Sequence, residues 1–213
     1  MTETERRKGV ILVLTGASGV GKDEAMRVLK ERLGCSQVLT TTDREKRLGE
    51  INGVHYDFVT TEKFNRRVED GEFLEHVEYR GTNKGTPKSE INKVLGSGDI
   101  IIWRIDPSAA ANAVSIVQGE FPDVGGEIAK RMVTVYISGD WKDIRRRYFA
   151  REPGADRKIF DNNLRKDKRM WKRNRDRYDF VVRNPQGKLE ETVDTVVMIL
   201  RTARGEILSP PRV

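Results

Sequence analysis

Short uninterrupted apolar runs alternate along the chain with longer stretches in which apolar positions recur every three or four residues. Val10-Ile11-Leu12-Val13-Leu14 has the length and branching of a strand buried on both faces. Ile100-Ile101-Ile102-Trp103-Arg104-Ile105-Asp106 predicts a second such strand, residues 132–137 a third and residues 178–182 a fourth. Between them the period lengthens. Ala25, Met26, Val28 and Leu29, set among charges, predict a helix over 23–33. Pro107 opens another to about residue 121, followed by a Gly/Pro loop. Helices are predicted over 140–151 and 156–176, separated by Glu152-Pro153-Gly154, and a last amphipathic one over 189–202. Strands alternating with helices predict an α/β fold with a parallel sheet.

The middle of the chain breaks this rhythm. Residues 37–42 predict a short strand, 43–53 are polar and turn-rich, and 54–59 alternate like a half-buried strand. Thr60 or Thr61 is placed to cap a helix running to Asp70, with Phe64 and Val68 four apart on its inner face and Gly71 ending it. Residues 72–79 are strand-like, Gly85-Thr86-Pro87 predicts a turn, and 88–95 a short helix closed by Gly96 and Gly98. A β-rich unit over about residues 42–95 therefore interrupts the parallel sheet.

The first strand runs directly into Gly16-Ala17-Ser18-Gly19-Val20-Gly21-Lys22-Asp23. Strand, glycine-rich turn and helix make the context of a phosphate-binding loop. The glycines let successive N–H groups point inward, the helix N-terminus adds partial positive charge, and Lys22 reaches the outer phosphates. Such a loop normally ends Lys-Ser or Lys-Thr, whose hydroxyl ligates magnesium. Here the position is Asp23, a carboxylate that binds magnesium but also brings negative charge near the phosphates. Asp106, at the end of the second core strand, lies where a parallel sheet presents its ligand edge.

Composition narrows the setting. The 213 residues suffice for one domain with insertions, and 37% hydrophobic against 34% charged residues is a water-facing composition. No apolar run approaches membrane-spanning length, and residues 1–8 are polar, without a signal-peptide stretch. The single cysteine, Cys35, rules out an internal disulfide or a cysteine metal cluster, and His55 and His76 are too few for a histidine metal site; a cytoplasmic setting is expected. The net charge of +7 is local. Residues 142–177 hold 15 basic and 6 acidic side chains, leaving the rest of the chain at −2. That segment suits the phosphates of a small ligand or a polynucleotide, and much of it reads as a solvated helical face.

Three blocks resemble guanylate kinases: Gly49-Glu50-Ile51-Asn52-Gly53-Val54-His55-Tyr56-Asp57-Phe58-Val59, then Gly71-Glu72-Phe73-Leu74-Glu75, then Gly85-Thr86-Pro87-Lys88-Ser89-Glu90. Tyr178-Asp179-Phe180-Val181-Val182-Arg183-Asn184 is similar to that family's closing strand. The resemblance covers about residues 9–200 and is weak over 109–131. It implies that Arg44, Arg47 and Tyr56 hold the phosphate of a nucleoside monophosphate, and that Glu75 and Thr86 contact guanine. Arg147 and Arg151 would reach ATP and the transferring phosphoryl group, and Asn184 would lie near adenine. Two further positions depart from the pattern. Lys84 stands where a second phosphate-contacting tyrosine is usual, and Arg104 where an aspartate lines the guanine side.

The resemblance thus implies a P-loop parallel sheet core flanked by helices (1–41, 96–139 and 178–205), an inserted mixed β-rich NMP-binding unit (42–95) and a basic helical lid (140–177); the Pro-rich end of the chain predicts a disordered tail (206–213). It implies phosphoryl transfer from ATP, with Mg2+, to GMP or another phosphorylated small molecule. Gly16 to Asp23 would hold the ATP phosphates, Lys22, Arg147 and Arg151 would be catalytic, and Asp23 and Asp106 would face the metal. Arg44, Arg47, Tyr56, Glu75, Lys84, Thr86 and Arg104 would bind GMP. Neither a membrane nor a nucleic acid is an expected partner, and a monomer or homodimer is expected. The Lys22-Asp23 ending also resembles ribose 1,5-bisphosphate phosphokinases, which keeps another acceptor open, and Asp23 with Arg104 keeps open a binding module that has lost catalysis.

Overall fold

The computed structural model describes residues 9–79, 81–94 and 99–206. The expected closing glycines Gly96 and Gly98 and the tail from residue 207 lie outside them. The chain divides into two compact units: the described parts of Met1–Ser36, Gly98–Ala113 and Arg131–Val213, and those of Gln37–Ser97 and Val114–Lys130.

In the first unit the apolar run becomes β1 (Val10–Gly16), buried at every position. It is flanked in parallel by β7 (Ile100–Arg104) and β8 (Met132–Ser138), in the registers Leu12↔Ile102 and Leu12↔Val133. β9 (Phe180–Arg183) extends the sheet beyond β8, and the two-residue β2 (Ser36–Gln37) lies beyond β7, for the order β2-β7-β1-β8-β9. A central strand covered on both faces has no use for polar alternation, and this explains the unbroken branched run. Helices α1 (Lys22–Leu33) and α9 (Leu189–Ala203) cover the sheet with Ala25, Val28, Leu29, Val193, Val196 and Leu200. Gly34, at φ 65°, stops α1 and returns its N–H to the Lys30 carbonyl.

Between β7 and β8 lies α4 (Pro107–Ala111), capped by Asp106, and between β8 and β9 lie α7 (Trp141–Arg151) and α8 (Arg157–Asn174). Asp140 and Asp156 cap α7 and α8 through side-chain oxygens that accept backbone N–H bonds. Tyr148 and Phe149 meet Phe160 with ring centroids 4.6 and 5.0 Å apart, joining the two helices. Part of the basic charge here is answered within the segment. Arg145 pairs with Asp161, Arg146 with Asp143, and Lys168 lies over the Trp141 ring.

The second unit carries a mixed sheet in the order β4-β3-β6-β5: β4 (Asp57–Phe58), β3 (Thr41–Thr42), β6 (Thr82–Pro87) and β5 (Phe73–Tyr79). Helix α2 (Thr61–Glu69) starts at Thr60, whose Oγ1 accepts from the Lys63 N–H, and buries Phe64 on Phe73 with the rings stacked at 4.7 Å. Helices α3 (Lys88–Val94), α5 (Ala113–Glu120) and α6 (Gly125–Ala129) complete the set, with Lys88 and Glu120 paired at 2.5 Å.

Four local expectations are corrected. The strand expected over 37–42 is two separate pairs of residues, β2 and β3, in different sheets. Only Asp57 and Phe58 of 54–59 are in a strand, because Asn52 to Tyr56 close a turn in which Gly53 donates to the Tyr56 carbonyl. Gly85-Thr86-Pro87 is the end of β6 rather than a turn. The helix expected to run from Pro107 to 121 breaks at Asn112, and α6 occupies part of the predicted Gly/Pro loop.

Candidate functional site

In the first unit the glycine-rich loop is held open by backbone geometry. Gly16, Gly19 and Gly21 have φ of 146°, 83° and 99°, which side-chain-bearing residues rarely adopt. Gly16 is required twice over, since a Cβ there would lie 2.3 Å from the Ile137 carbonyl oxygen. Gly21, in the left-handed region, is the N-cap of the 12-residue α1, so the positive end of that helix begins at the loop. Lys22 Nζ donates back to the Gly16 and Ala17 carbonyls at 2.7 and 2.9 Å, which keeps the ammonium at the loop itself.

Two residues expected to meet ATP are built into the loop's support. Arg147 on α7 donates to the Val20 carbonyl at 3.0 Å, to the Asn184 carbonyl at 3.2 Å and to Gln186 Oε1 at 3.0 Å. Asn184, expected on the adenine side, is buried. Its Nδ2 donates to the Val20 carbonyl at 2.8 Å and its Oδ1 accepts from Thr192 Oγ1 at 3.1 Å. As placed, the amide braces the loop. Arg151, four residues beyond Arg147, is exposed, beside Glu152 and over the Tyr148 ring.

The two carboxylates expected at a metal are arranged differently. Asp23 accepts a hydrogen bond from Arg104 Nη1. Asp106 accepts from the Ser108 N–H at 2.7 Å as the cap of α4, and burial pushes its carboxyl above the ordinary 3.8, against those N–H bonds and the charge of Lys22. Asp167, buried on α8, adds to that upward push. The arrangement does not fit a magnesium ligand set. A guanidinium already answers Asp23, a helix N-terminus answers Asp106, and the described residues include no group of three or more His, Cys, Asp or Glu side chains that could hold a metal ion.

In the second unit, Arg44 closes on Glu50 with two bonds of 2.8 Å and donates to the Glu45 carbonyl at 2.7 Å. Its guanidinium carbon lies 5.4 Å from the Tyr56 ring centroid, and Lys84 Nζ lies 5.8 Å from the same ring on its own approach. Three cationic or phenolic groups expected at one phosphate thus share one corner. Arg47 has an exposed side chain, and its backbone N–H donates to Glu50 Oε2 at 2.7 Å. Along the same sheet Glu75 on β5 stands opposite Thr86 on β6, and buried Thr86 Oγ1 donates to Glu75 Oε1 at 2.6 Å. A register shift at Leu74 makes this pairing, as bulges beside sites re-aim side chains.

Sequence reasoning assigned no role to Glu50, Gln186 or Thr192. Glu50 carries a signal in its Gly-Glu turn after two arginines. The other two are polar residues shortly after β9, and their partners become visible only in three dimensions.

Comparison with known proteins gives a consistent result. A family model described as guanylate kinase matches residues 8–203. A guanylate kinase of Sulfurimonas denitrificans is 31% identical over 205 residues, 95% of this chain and 92% of that protein. Guanylate kinase 2, chloroplastic/mitochondrial, of Oryza sativa is 32% identical over 93% of this chain and 66% of its own length. A guanylate kinase of Clostridium perfringens is 38% identical over 107 residues, 50% of each. The chain therefore spans about half the length of some curated relatives that it matches. The crystal structure of guanylate kinase from Anaplasma phagocytophilum superposes with a TM-score of 0.66 at 25% identity, covering 93% of this chain and 87% of that one. Among the described residues no helix is long and apolar enough to cross a membrane.

Proposed function

Because the chain belongs to the guanylate kinase family, we propose that it transfers the γ-phosphoryl group of ATP to GMP, giving ADP and GDP. The observation that carries this reading is the Glu75–Thr86 pair on the sheet that also carries Lys84, with Arg44 just beyond β3 and Tyr56 just before β4 beside that lysine. A carboxylate acceptor suits guanine N1–H and the exocyclic amine. The arginine fork suits a phosphate dianion.

In the proposed reaction an oxygen of the GMP phosphate attacks the γ-phosphorus in line as the bond to the β–γ bridging oxygen breaks, and ADP leaves with that electron pair. The acceptor is already a dianion near neutral pH, so no side chain needs to remove a proton. Magnesium, where present, would be carried by the ATP phosphates themselves and would offset part of their charge, with no side chain of this chain assigned to hold it. Lys22 exchanges the Gly16 and Ala17 carbonyls for the outer phosphate oxygens, and the positive N-terminal end of α1 faces the rest. Arg147 holds Val20 and with it the loop's shape, and exposed Arg151 is the arginine offered to the transferring group.

The test is to follow a γ-labelled phosphate. Label appearing in GDP, and lost in Lys22→Met while circular dichroism is unchanged, supports the proposal. Label released only as free phosphate, or full transfer by Lys22→Met, sinks it.

A further inference from the structure

The two residues that depart most clearly from a phosphate-loop kinase pattern, Asp23 and Arg104, are 81 positions apart and hydrogen-bonded to each other. Asp23 is in the first turn of α1; Arg104 ends β7, beside Leu14 of β1. Taken singly, each substitution is a charge fault. A carboxylate at the loop repels phosphates, and an arginine replaces an acid at the strand end. Taken together they exchange a neutral hydroxyl and an acid for a neutralised ion pair.

The partners are unequally fixed. The Arg104 side chain is 15% exposed and the Asp23 side chain 61%. Arg104 is thus anchored through an enclosed stem, and Asp23 is the end that turns aside easily. We infer that Arg104 is the built-in counter-charge of the phosphate loop, masking Asp23 so that the loop accepts a triphosphate whether or not a divalent cation accompanies it. When phosphates arrive, Asp23 turns to solvent and Arg104 stays to face them, a cation carried by the fold where related loops rely on a hydroxyl-bound metal. The inference rests on ATP occupying this loop.

Titration calorimetry of the full chain with ATP, once with excess Mg2+ and once with EDTA, reads the effect as a ratio of dissociation constants. For the unaltered protein the metal-free constant is expected within about fivefold of the magnesium one. In Arg104→Met the Asp23 carboxylate, no longer answered by this guanidinium, repels metal-free ATP more and attracts magnesium more, so the ratio should rise about tenfold or more over the unaltered protein. Asp23→Asn removes the repulsion and should bind metal-free ATP at least as tightly as the unaltered protein. Its exposed position makes it a fold-neutral control. An Arg104→Met ratio within about twofold of the unaltered protein, or weakened metal-free binding by Asp23→Asn, overturns the inference while leaving the loop as the ATP site. No ATP binding by the unaltered protein in either buffer overturns the phosphate-loop reading and this inference with it.

Discussion

Arg44 and Glu50 form a two-pronged ion pair, each Nη atom donating to a different carboxylate oxygen at 2.8 Å. Their side chains are only 15% and 16% exposed, so water screens the pair less than an ordinary surface bridge. Burial pushes the Glu50 carboxyl up, but bonds from Arg44 and the Arg47 N–H, with both arginine charges, bring it below its usual value. Glu50 therefore sets the direction of the guanidinium that the acceptor phosphate would meet. Glu50→Gln is expected to raise the KM for the acceptor about tenfold, with a smaller change in kcat. Steady-state kinetics decide it, and an unchanged KM would mean that Arg44 orients itself without this partner.

Asn184 and Gly21 form a matched pair. A Cβ on Gly21 would lie 2.5 Å from Asn184 Nδ2, the atom that donates to Val20. Asn184→Ala removes one of the two donors to the Val20 carbonyl, which Arg147 still serves, and one of the three acceptors around the buried Thr192 hydroxyl, at a cost of about 0.5–1.5 kcal/mol. A fall in Tm together with weaker ATP binding is expected. Weaker ATP binding with an unchanged Tm would instead point to direct contact with the base.

Asp106 gives a pH signature. Its folded-state carboxyl is raised above 3.8 by burial. The stability it contributes is therefore present below 3.8 and lost as pH rises through the folded value. Asn caps a helix as well as Asp and does not titrate there. Denaturant unfolding should show Asp106→Asn gaining on the unaltered protein as pH rises from below 3.8 toward neutrality, whereas Asp106→Ala loses the cap and about 1 kcal/mol. A pH-independent difference between the Asn variant and the unaltered protein would contradict the burial argument.

Glu75 separates acceptors. Glu75→Gln exchanges an acceptor-only group for one that also donates, which opposes the guanine N1–H. It should lower kcat/KM for GMP by about a hundredfold and leave any activity on ribose 1,5-bisphosphate nearly intact. Equal losses on both would assign Glu75 to the sheet rather than to the base.

The core was legible because its signals are local: an unbroken branched run at β1, three glycines and a lysine at the turn, and aspartates ahead of α7 and α8. The parallel sheet followed from strand–helix alternation. Boundaries in the second unit were not legible, since β3 and β4 are two residues each and their pairing is fixed by partners such as Gly85 and Lys84 on β6. Gly85-Thr86-Pro87 has turn composition, yet it stays extended because Phe73 packs where a Gly85 side chain would project and Thr86 bonds Glu75. At the candidate site the residue types were legible but not their partners. Nothing near Asp23 in sequence announces Arg104, and nothing near Val20 announces Arg147 and Asn184.

The most direct measurement is ADP release from ATP and magnesium with GMP, dGMP, AMP, UMP, dTMP and ribose 1,5-bisphosphate offered in parallel. The account predicts strong turnover with GMP, loss of that turnover in Lys22→Met, and little with the pyrimidine nucleotides or the sugar bisphosphate. Turnover confined to ribose 1,5-bisphosphate, or none with any acceptor from protein shown to be folded, would contradict it.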